Sequence, residues 1–299
     1  MASIRDIKRR KNSIENTAAM TRAMQMVATV RFGRARERAE KAMPYFGKMY
    51  ETMQDILSRC QNVRHPYLVG GATGKKAVIV ITSNRGLAGG YHLDMIRKVT
   101  DSGILPEKAQ LYTLGSKGRD GLKSLGFLVV RDYSEYAEDA TFDVARKVGE
   151  DVLAAFKNGE VGEIYLAYTH FKNTVIHIPR WLRLLPAEPL AGEMDGSSGE
   201  TDVFGADIDS SGLPPMNFEP SADSVLDEII PLYINSMIYG GWLEASASEN
   251  GARMTAMDNA TGNAQDMIDQ LELAYNRARH GAITQEITEI VSGSEALGE

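Results

Sequence analysis

The chain has 299 residues, of which 43% are hydrophobic and 24% charged, with a net charge of −7 and one cysteine. That balance belongs to a globular chain with room for two domains, or for one domain plus an extended element. No run of about 18 apolar residues occurs, the charged opening Met1-Ala2-Ser3-Ile4-Arg5 lacks a signal-peptide core, and a lone Cys60 excludes an internal disulfide. A chain facing a reducing cytoplasm, with nothing crossing a membrane, is expected.

The charge is unevenly spread. Residues 1–42 hold eleven Lys and Arg against four acids, whereas residues 243–299 hold three Arg against ten acids. Between Leu184 and Ala252 there is no Lys or Arg. A basic end and an acidic end either attract each other or address different partners.

The first predicted element is a long helix. Counted in sevens, Ile7, Ile14, Thr21, Ala28, Ala35, Ala42, Met49 and Ile56 form one series, and Ile4, Lys11, Ala18, Gln25, Phe32, Ala39, Phe46 and Met53 form its companion. Such paired series are the a and d positions of a heptad repeat. Pro44 predicts a kink or one lost hydrogen bond. A basic helix of this kind also suits nucleic acid or anionic lipid. Its charges, however, are spread around the helix and Phe32 is its only aromatic before Tyr45, which favours a solvated face or a protein partner.

Next comes a mixed segment. Ala77–Thr82 reads as a buried strand, followed by the loop Ser83-Asn84-Arg85-Gly86-Leu87-Ala88-Gly89-Gly90 and a helix from Tyr91 to Thr100. Gln110–Leu114 and Phe127–Val130 read as strands with a short helix between them. Thr141–Phe156 reads as a helix with Val144, Val148, Val152 and Ala155 on one face. Glu163–Thr169 and Thr174–Leu185 read as strands joined by a turn at Lys172-Asn173. Alternating strands and helices predict a mostly parallel sheet. Residues 186–223 carry nine acids and no base, as an exposed acidic connection would.

The last element repeats the heptad logic. Leu226, Tyr233, Gly240, Ala247, Met254, Thr261, Ile268, Tyr275 and Ala282 alternate with Ile229, Ser236, Leu243, Asn250, Met257, Ala264, Leu271 and Ala278. Ser221 or Asp223 is the expected cap. After Ala282 the apolar stripe shifts phase to Ile283, Ile287, Ile290 and Val291. Ala, Gly, Ser and Thr fill many seam positions, and Gly240, Gly241, Gly251, Gly262 and Gly281 each cost about 1 kcal/mol against Ala in a helix. A pair of such helices is only modestly stable alone, so an enclosing partner is expected.

Chemical motifs are thin. Gly70-Gly71-Ala72-Thr73-Gly74-Lys75 is too short between its glycines for a P-loop, has Lys76 where a hydroxyl is needed, and precedes a strand instead of following one. Gly86, Gly89 and Gly90 stand where a dinucleotide turn would, without the G-x-G-x-x-G order, and read as a tight structural turn. His170 and His177 flank the predicted turn and lack a third metal ligand. Cys60 sits on a helical stripe and reads as core. The acids of 186–223 lack calcium-loop spacing. No constellation fit for catalysis, no cofactor and no metal site emerges. A DNA-associated coiled coil and a nucleotide-dependent enzyme built on the α/β segment remain as other classes.

Several stretches resemble the gamma subunits of F-type ATP synthases. They are Ile7-Lys8-Arg9-Arg10, Asn16-Thr17, Thr21-Arg22-Ala23-Met24 and Met26-Val27-Ala28, then the loop 83–90, which matches the family's S-D-R-G-L-C-G-G. At the C-terminal end they are Arg253-Met254, Ala256-Met257, Asn259-Ala260-Thr261, Asn263-Ala264, Tyr275-Asn276, Ala278-Arg279, Ile283-Thr284-Gln285-Glu286, Thr288-Glu289-Ile290 and Gly293. Asn84, Ala88 and His280 depart from the family's usual Asp, Cys and Gln, and the chloroplast cysteine pair is absent.

The resemblance implies an α/β chain: a long antiparallel coiled coil of N- and C-terminal helices plus a Rossmann-like domain with a mostly parallel sheet. The expected parts are a helix over 1–60, an α/β domain over 76–185, an acidic linker over 186–223 and a helix over 224–299. It further implies a bacterial-type, non-catalytic rotor shaft, one copy per complex, peripheral on the cytoplasmic face of the membrane. Its implied partners are the alpha and beta subunits, the epsilon subunit and the c-ring, with no nucleic acid and no cofactor. Coupling contacts are expected at Arg22, Met24 and Met26 on the first helix and at Arg253, Arg279, Gln285, Thr288 and Glu289 on the last.

Overall fold

The computed structural model describes residues 4–59, 64–71, 73–187, 218–219 and 221–296. The expected core role of Cys60 and most of the acidic connection, residues 188–217, lie outside the described residues. The elements in chain order are α1 (Ile4–Arg59), α2 (Pro66–Val69), β1 (Lys76–Ile81), α3 (Tyr91–Thr100), β2 (Ala109–Leu114), α4 (Ser116–Ser124), β3 (Leu128–Asp132), α5 (Phe142–Lys157), β4 (Glu163–Phe171), β5 (His177–Leu185) and α6 (Ala222–Ala296). The chain divides into two compact units: residues up to Ala28 together with those from Met254 onward, and Thr29–Arg253.

In the first unit the two long helices pair side by side. Lys11 meets Glu272 at 3.3 Å, the Thr21 and Thr261 hydroxyls are 2.8 Å apart, and Gln25 donates to Asp258 at 2.7 Å. As α1 advances, its partner residues recede, so the pairing is antiparallel. The heptad reading holds closely. Between Ile4 and Ala39, every residue of α1 that is not exposed belongs to one of the two series. The same is true of α6 between Thr261 and Ala278. Beyond Ala278 the series breaks: Ala282 is exposed, and so are the phase-shifted Ile283, Ile287, Ile290 and Val291. By the register of the three cross-pairs, residue 279 stands opposite the start of α1. The segment that follows has no described helix left to pack on.

The second unit is a three-layer arrangement. Its five-stranded sheet has the order β3-β2-β1-β4-β5, parallel throughout except for β5, which folds back antiparallel on β4. Alternation along the strands sorts side chains to two faces. Val78, Val80, Leu111 and Ala167 point to one face, under Met95 and Val99 of α3 and Leu122 of α4. Ala77, Ile79, Ile81, Leu166 and Tyr168 point to the other, where Val148 and Val152 of α5 meet Met53 and Ile56 of α1 and Ile234, Met237 and Ile238 of α6. The rings of Phe46 and Tyr239 lie 5.9 Å apart, and those of Tyr50 and Tyr233 6.4 Å apart, so the two helices keep their antiparallel sense here as well.

Two local expectations shift, and the choice between two expected caps falls on Ser221. The β4–β5 turn spans 172–176, because the Asn173 carboxamide oxygen accepts from the amides of Val175 (2.9 Å) and Ile176 (2.7 Å) and closes the loop later than its sequence suggests. The third strand starts at Leu128 and runs to Asp132. Ser221 is the cap of α6, its hydroxyl accepting from the Ser224 amide at 3.2 Å. Both long helices contain an internal proline, Pro44 in α1 and Pro231 in α6, and each is continuous through it. Around Pro231 the helix is held on one face, where Leu226, Ile230, Tyr233 and Ile234 are buried while Asp227 and Leu232 stay exposed.

The glycines of α6 fall into two kinds. A Cβ on Gly241 would come within 3.1 Å of the Tyr168 ring, so close helix–sheet approach requires the bare backbone. Nothing lies within 4 Å of such an atom on Gly262 or Gly281. Gly262→Ala is therefore expected to stabilise the chain by about 1 kcal/mol, and Gly241→Ala to destabilise it by about 1–3 kcal/mol. Urea unfolding followed by helical circular dichroism distinguishes them; equal effects of the two changes would contradict this assignment.

Candidate functional site: the loop after β1 and the exposed ends of the long helices

In an open sheet of this order, the strand sequence reverses between β1 and β4, and ligands of such folds bind outside the carboxyl ends of those strands. Here α6 runs across that position. The Tyr91 hydroxyl, at the head of α3, donates to the Ala245 carbonyl at 3.1 Å, and Ser248 donates to the Thr169 carbonyl near the end of β4 at 3.3 Å. Burial holds the Tyr91 phenol protonated and able to donate. Glu244 and His170 meet at 2.7 Å, both buried.

The loop 83–90 is tied on every side. Asn84 accepts from the Ser116 amide at 2.9 Å and donates to the Ser134 carbonyl at 2.7 Å. That double role explains the amide where the family usually carries Asp: a carboxylate has no hydrogen to offer the second carbonyl. Ala88 is buried, so a small side chain suits it. Ser83 donates to the Arg85 carbonyl at 3.2 Å and lies 2.8 Å from His92 Nε2. With the serine hydrogen engaged, His92 is the donor of that second bond. Burial, and then the charges of Arg253 and Lys117, push His92 down to about 4, so it is neutral in the fold. Leu87 adopts a φ of 62°, rare for a non-glycine residue, and is 61% exposed.

This geometry disposes of the dinucleotide reading. Residues 244–253 of α6 occupy the crevice, and the first turn of α3 carries Asp94 where a phosphate would seek the helix N-terminus. The other glycine cluster is structural too: the Gly71 amide donates to the Gly162 carbonyl at 3.0 Å, and the Gly162 amide to the Lys75 carbonyl at 2.8 Å. His170 and His177 are adjacent in register and not opposite, since His170 pairs with Ile178 and His177 with Phe171. Among the described residues no cluster of metal-ligating side chains is present.

A cavity of about 350 Å³ opens beside the loop, lined by Arg31, Arg34 and Arg38 of α1, by Arg85, and by Glu138 and Asp139. Arg85 pairs with Glu138 at 2.9 Å and Arg38 with Asp139 at 3.3 Å. Sequence reasoning missed it, because its walls come from segments about 100 residues apart. The spacing of the three arginines along one face of α1 was the available signal.

The expected coupling residues do not form one patch. Arg22, Met24 and Met26 are exposed on α1, outside the seam, at the level of Asp258 and Thr261. Arg279, Gln285, Thr288 and Glu289 are exposed on the unpaired end of α6, with Gln285 donating to Glu289 at 3.0 Å and Thr288 to the Thr284 carbonyl at 2.8 Å. At 1.5 Å per residue, Gln285 lies roughly 40 Å along the rod from the level of Met24. Arg253 differs from them all, since its guanidinium is engaged within the chain. It donates to the carbonyls of Arg85 (3.1 Å) and Gly86 (3.3 Å) and pairs with Glu249 at 2.6 Å.

Comparison with known proteins gives this architecture a family. The family model described as ATP synthase matches residues 3–297. The ATP synthase gamma chain of Lachnoclostridium phytofermentans is 50% identical over 297 residues, covering 99% of this chain and 100% of that one. The chain belongs to the ATP synthase gamma-chain family. A further member, the gamma chain of Acetobacterium woodii described as sodium ion specific, is 40% identical over 299 residues and 99% of each chain. Among solved structures, a chain of the Euglena gracilis mitochondrial ATP synthase matches with a TM-score of 0.68 at 16% identity, over 98% of this chain and 94% of that one. A chain from the central stalk and c-ring of the Tetrahymena thermophila mitochondrial enzyme gives 0.59 at 22% identity, over 81% of this chain and 99% of that one. These structural likenesses bear on the fold, and the gamma-chain fold is the one found here: long terminal helices and a mostly parallel five-stranded sheet. As a gamma chain it is a non-catalytic subunit.

The neutral His92 has a measurable consequence. Its folded value of about 4 lies below its ordinary value of 6.5, so the unfolded chain binds the extra proton first. The stability it confers is complete above pH 6.5 and is lost as pH falls toward 4. His177, lowered by burial, acts in the same direction. His92→Gln is expected to flatten, without abolishing, the fall in unfolding midpoint between pH 6.5 and 4.5; identical pH profiles would contradict the assignment.

Proposed function

We propose that this gamma chain is the central rotor shaft of an F-type ATP synthase. It couples proton flow through a membrane c-ring to nucleotide turnover on catalytic beta subunits by rotating inside a hexamer of alpha and beta subunits. The observation that carries the reading is the full-length match to gamma chains, joined to an antiparallel helix pair whose seam buries little. Small seam residues such as Ala18, Thr21, Thr261 and Ala264 yield little at about 25 cal/mol per Å² of apolar surface buried. A surrounding hexamer would supply what the seam lacks. The bare apolar end of α6, with Ile283, Ile287 and Ile290 exposed, fits a sleeve supplied by other subunits. On this reading the sheet-bearing unit faces the epsilon subunit and the ring. The chain is then peripheral on the cytoplasmic face of the cell membrane, in agreement with the finding that no described helix is long and apolar enough to cross one.

Seven of the expected contact residues, Arg22, Met24, Met26, Arg279, Gln285, Thr288 and Glu289, are exposed, and we assign them to alpha and beta contacts. A charge at Met24 would place a cation against a surface fitted to an apolar thioether. The test uses the complex recovered from the native host through an affinity tag on this chain and reconstituted in vesicles. Wild-type complex is expected to contain alpha, beta and epsilon subunits and one copy of this chain, and to pump ions on ATP addition. Met24→Lys is expected to hydrolyse ATP while moving fewer ions per ATP, with proton and sodium uptake both followed because one relative is described as sodium specific. Recovery of the chain without ATPase partners would overturn the function, and an unchanged ion-to-ATP ratio would remove Met24 from the coupling surface.

A further inference from the structure

Arg253 is the first cation after Arg183 in the sequence, and all but one of its described bonds reach out of its own helix. Its Nε and Nη2 reach the Gly86 carbonyl at 3.3 and 3.4 Å, and Nη2 reaches the Arg85 carbonyl at 3.1 Å. Glu249, one turn earlier on α6, holds the guanidinium at 2.6 Å, and both side chains are largely buried. A planar fork that meets two successive carbonyls and a carboxylate together fixes orientation as well as distance.

What it fixes is the backbone at the carboxyl end of β1. With the Arg85 and Gly86 carbonyls turned toward α6, Leu87 takes its positive φ, and the loop then closes through Gly89 into α3. The other ties the loop makes, Asn84 to Ser134 and Ser116, Ser83 to His92 and Arg85 to Glu138, do not reach α6. Tyr91 and Arg253 are the described side chains that join this loop and the head of α3 to α6 by hydrogen bonds.

We propose that Arg253 is a positioning residue, a latch that fastens the loop 83–90 to α6 so that the sheet layer and the helix move as one body under load. Its coupling role rests on the rotor reading above; the latch itself does not. An arginine engaged by two carbonyls and a carboxylate of its own chain acts on partners through the loop it holds.

Hydrogen exchange on the full-length chain tests the latch. The amides to watch are those of Tyr91, Ser116 and Lys117, which donate to Ala88, Asn84 and Ser83 of the loop. Arg253→Ala is expected to speed their exchange at least tenfold while amides inside β1 and α5 keep their rates. Arg253→Lys, with a point charge in place of the fork, and Glu249→Gln, which loosens the guanidinium, should each give a smaller acceleration. Unchanged exchange at the three amides overturns the latch. In the vesicle-reconstituted complex, Arg253→Ala is expected to lower ions moved per ATP by twofold or more, with recovery of the chain in the complex unchanged. A loosened loop with an unaltered ion-to-ATP ratio overturns the coupling role. Recovery without ATPase partners would instead fault the rotor reading and leave the exchange result standing.

Discussion

Residues 233–245 of α6 have almost no solvent side: all except Tyr239 are buried, between α1, α5 and the sheet. A helix enclosed in this way cannot carry an unpaired cation, because taking a charge out of water costs several kcal/mol unless partners replace the water. The absence of Lys and Arg from Leu184 to Ala252 follows in part from this constraint. It ends at Arg253, where the helix leaves the sheet layer and the first guanidinium finds carbonyls and a carboxylate already in place. Glu244, the one buried acid among the described residues of the stretch, has the His170 ring as its described partner.

Enclosure also sets side-chain size. The helix lies against β4 with Gly241 over Tyr168, and α5 approaches it at Gly149, where any added Cβ would collide with Asn235. Further along, where the helix faces only one neighbour, glycines such as Gly262 meet no such limit and the seam is narrow. Thr21 and Thr261 share a hydrogen bond where a seam optimised for stability would bury two apolar side chains. One continuous helix thus shows two regimes, dense packing against the sheet and a sparse seam in the terminal unit.

The periodic features were legible in the sequence. Heptad counting identified the non-exposed positions of α1 up to Ala39 and of α6 from Thr261 to Ala278, because a helix with one neighbour repeats its contact every three or four residues. Beyond Ala39 it missed Tyr50, Gln54 and Leu57, which are buried on further faces of α1. Strands β1, β2 and β4 announced themselves as short β-branched or apolar runs. Less legible were features that depend on residues distant in the chain. Nothing near Arg253 in sequence marks it as a partner of Gly86, 167 positions away. Asn84 reads as a departure from a family motif until its two bonds to Ser116 and Ser134 are seen. The enclosure of α6 over residues 233–245 was hidden as well, since its heptad marks only one of the faces buried there. The acidic connection gave a composition and no contacts, and its role was not readable.

The central claim is that this chain turns as a shaft. The most direct measurement follows a bead on a cysteine placed at Val175, an exposed residue of the β4–β5 turn, with native Cys60 changed to serine and the complex anchored through its beta subunits. On ATP addition the account predicts unidirectional rotation of the bead. A bead that stays fixed while the same complexes hydrolyse ATP would contradict it.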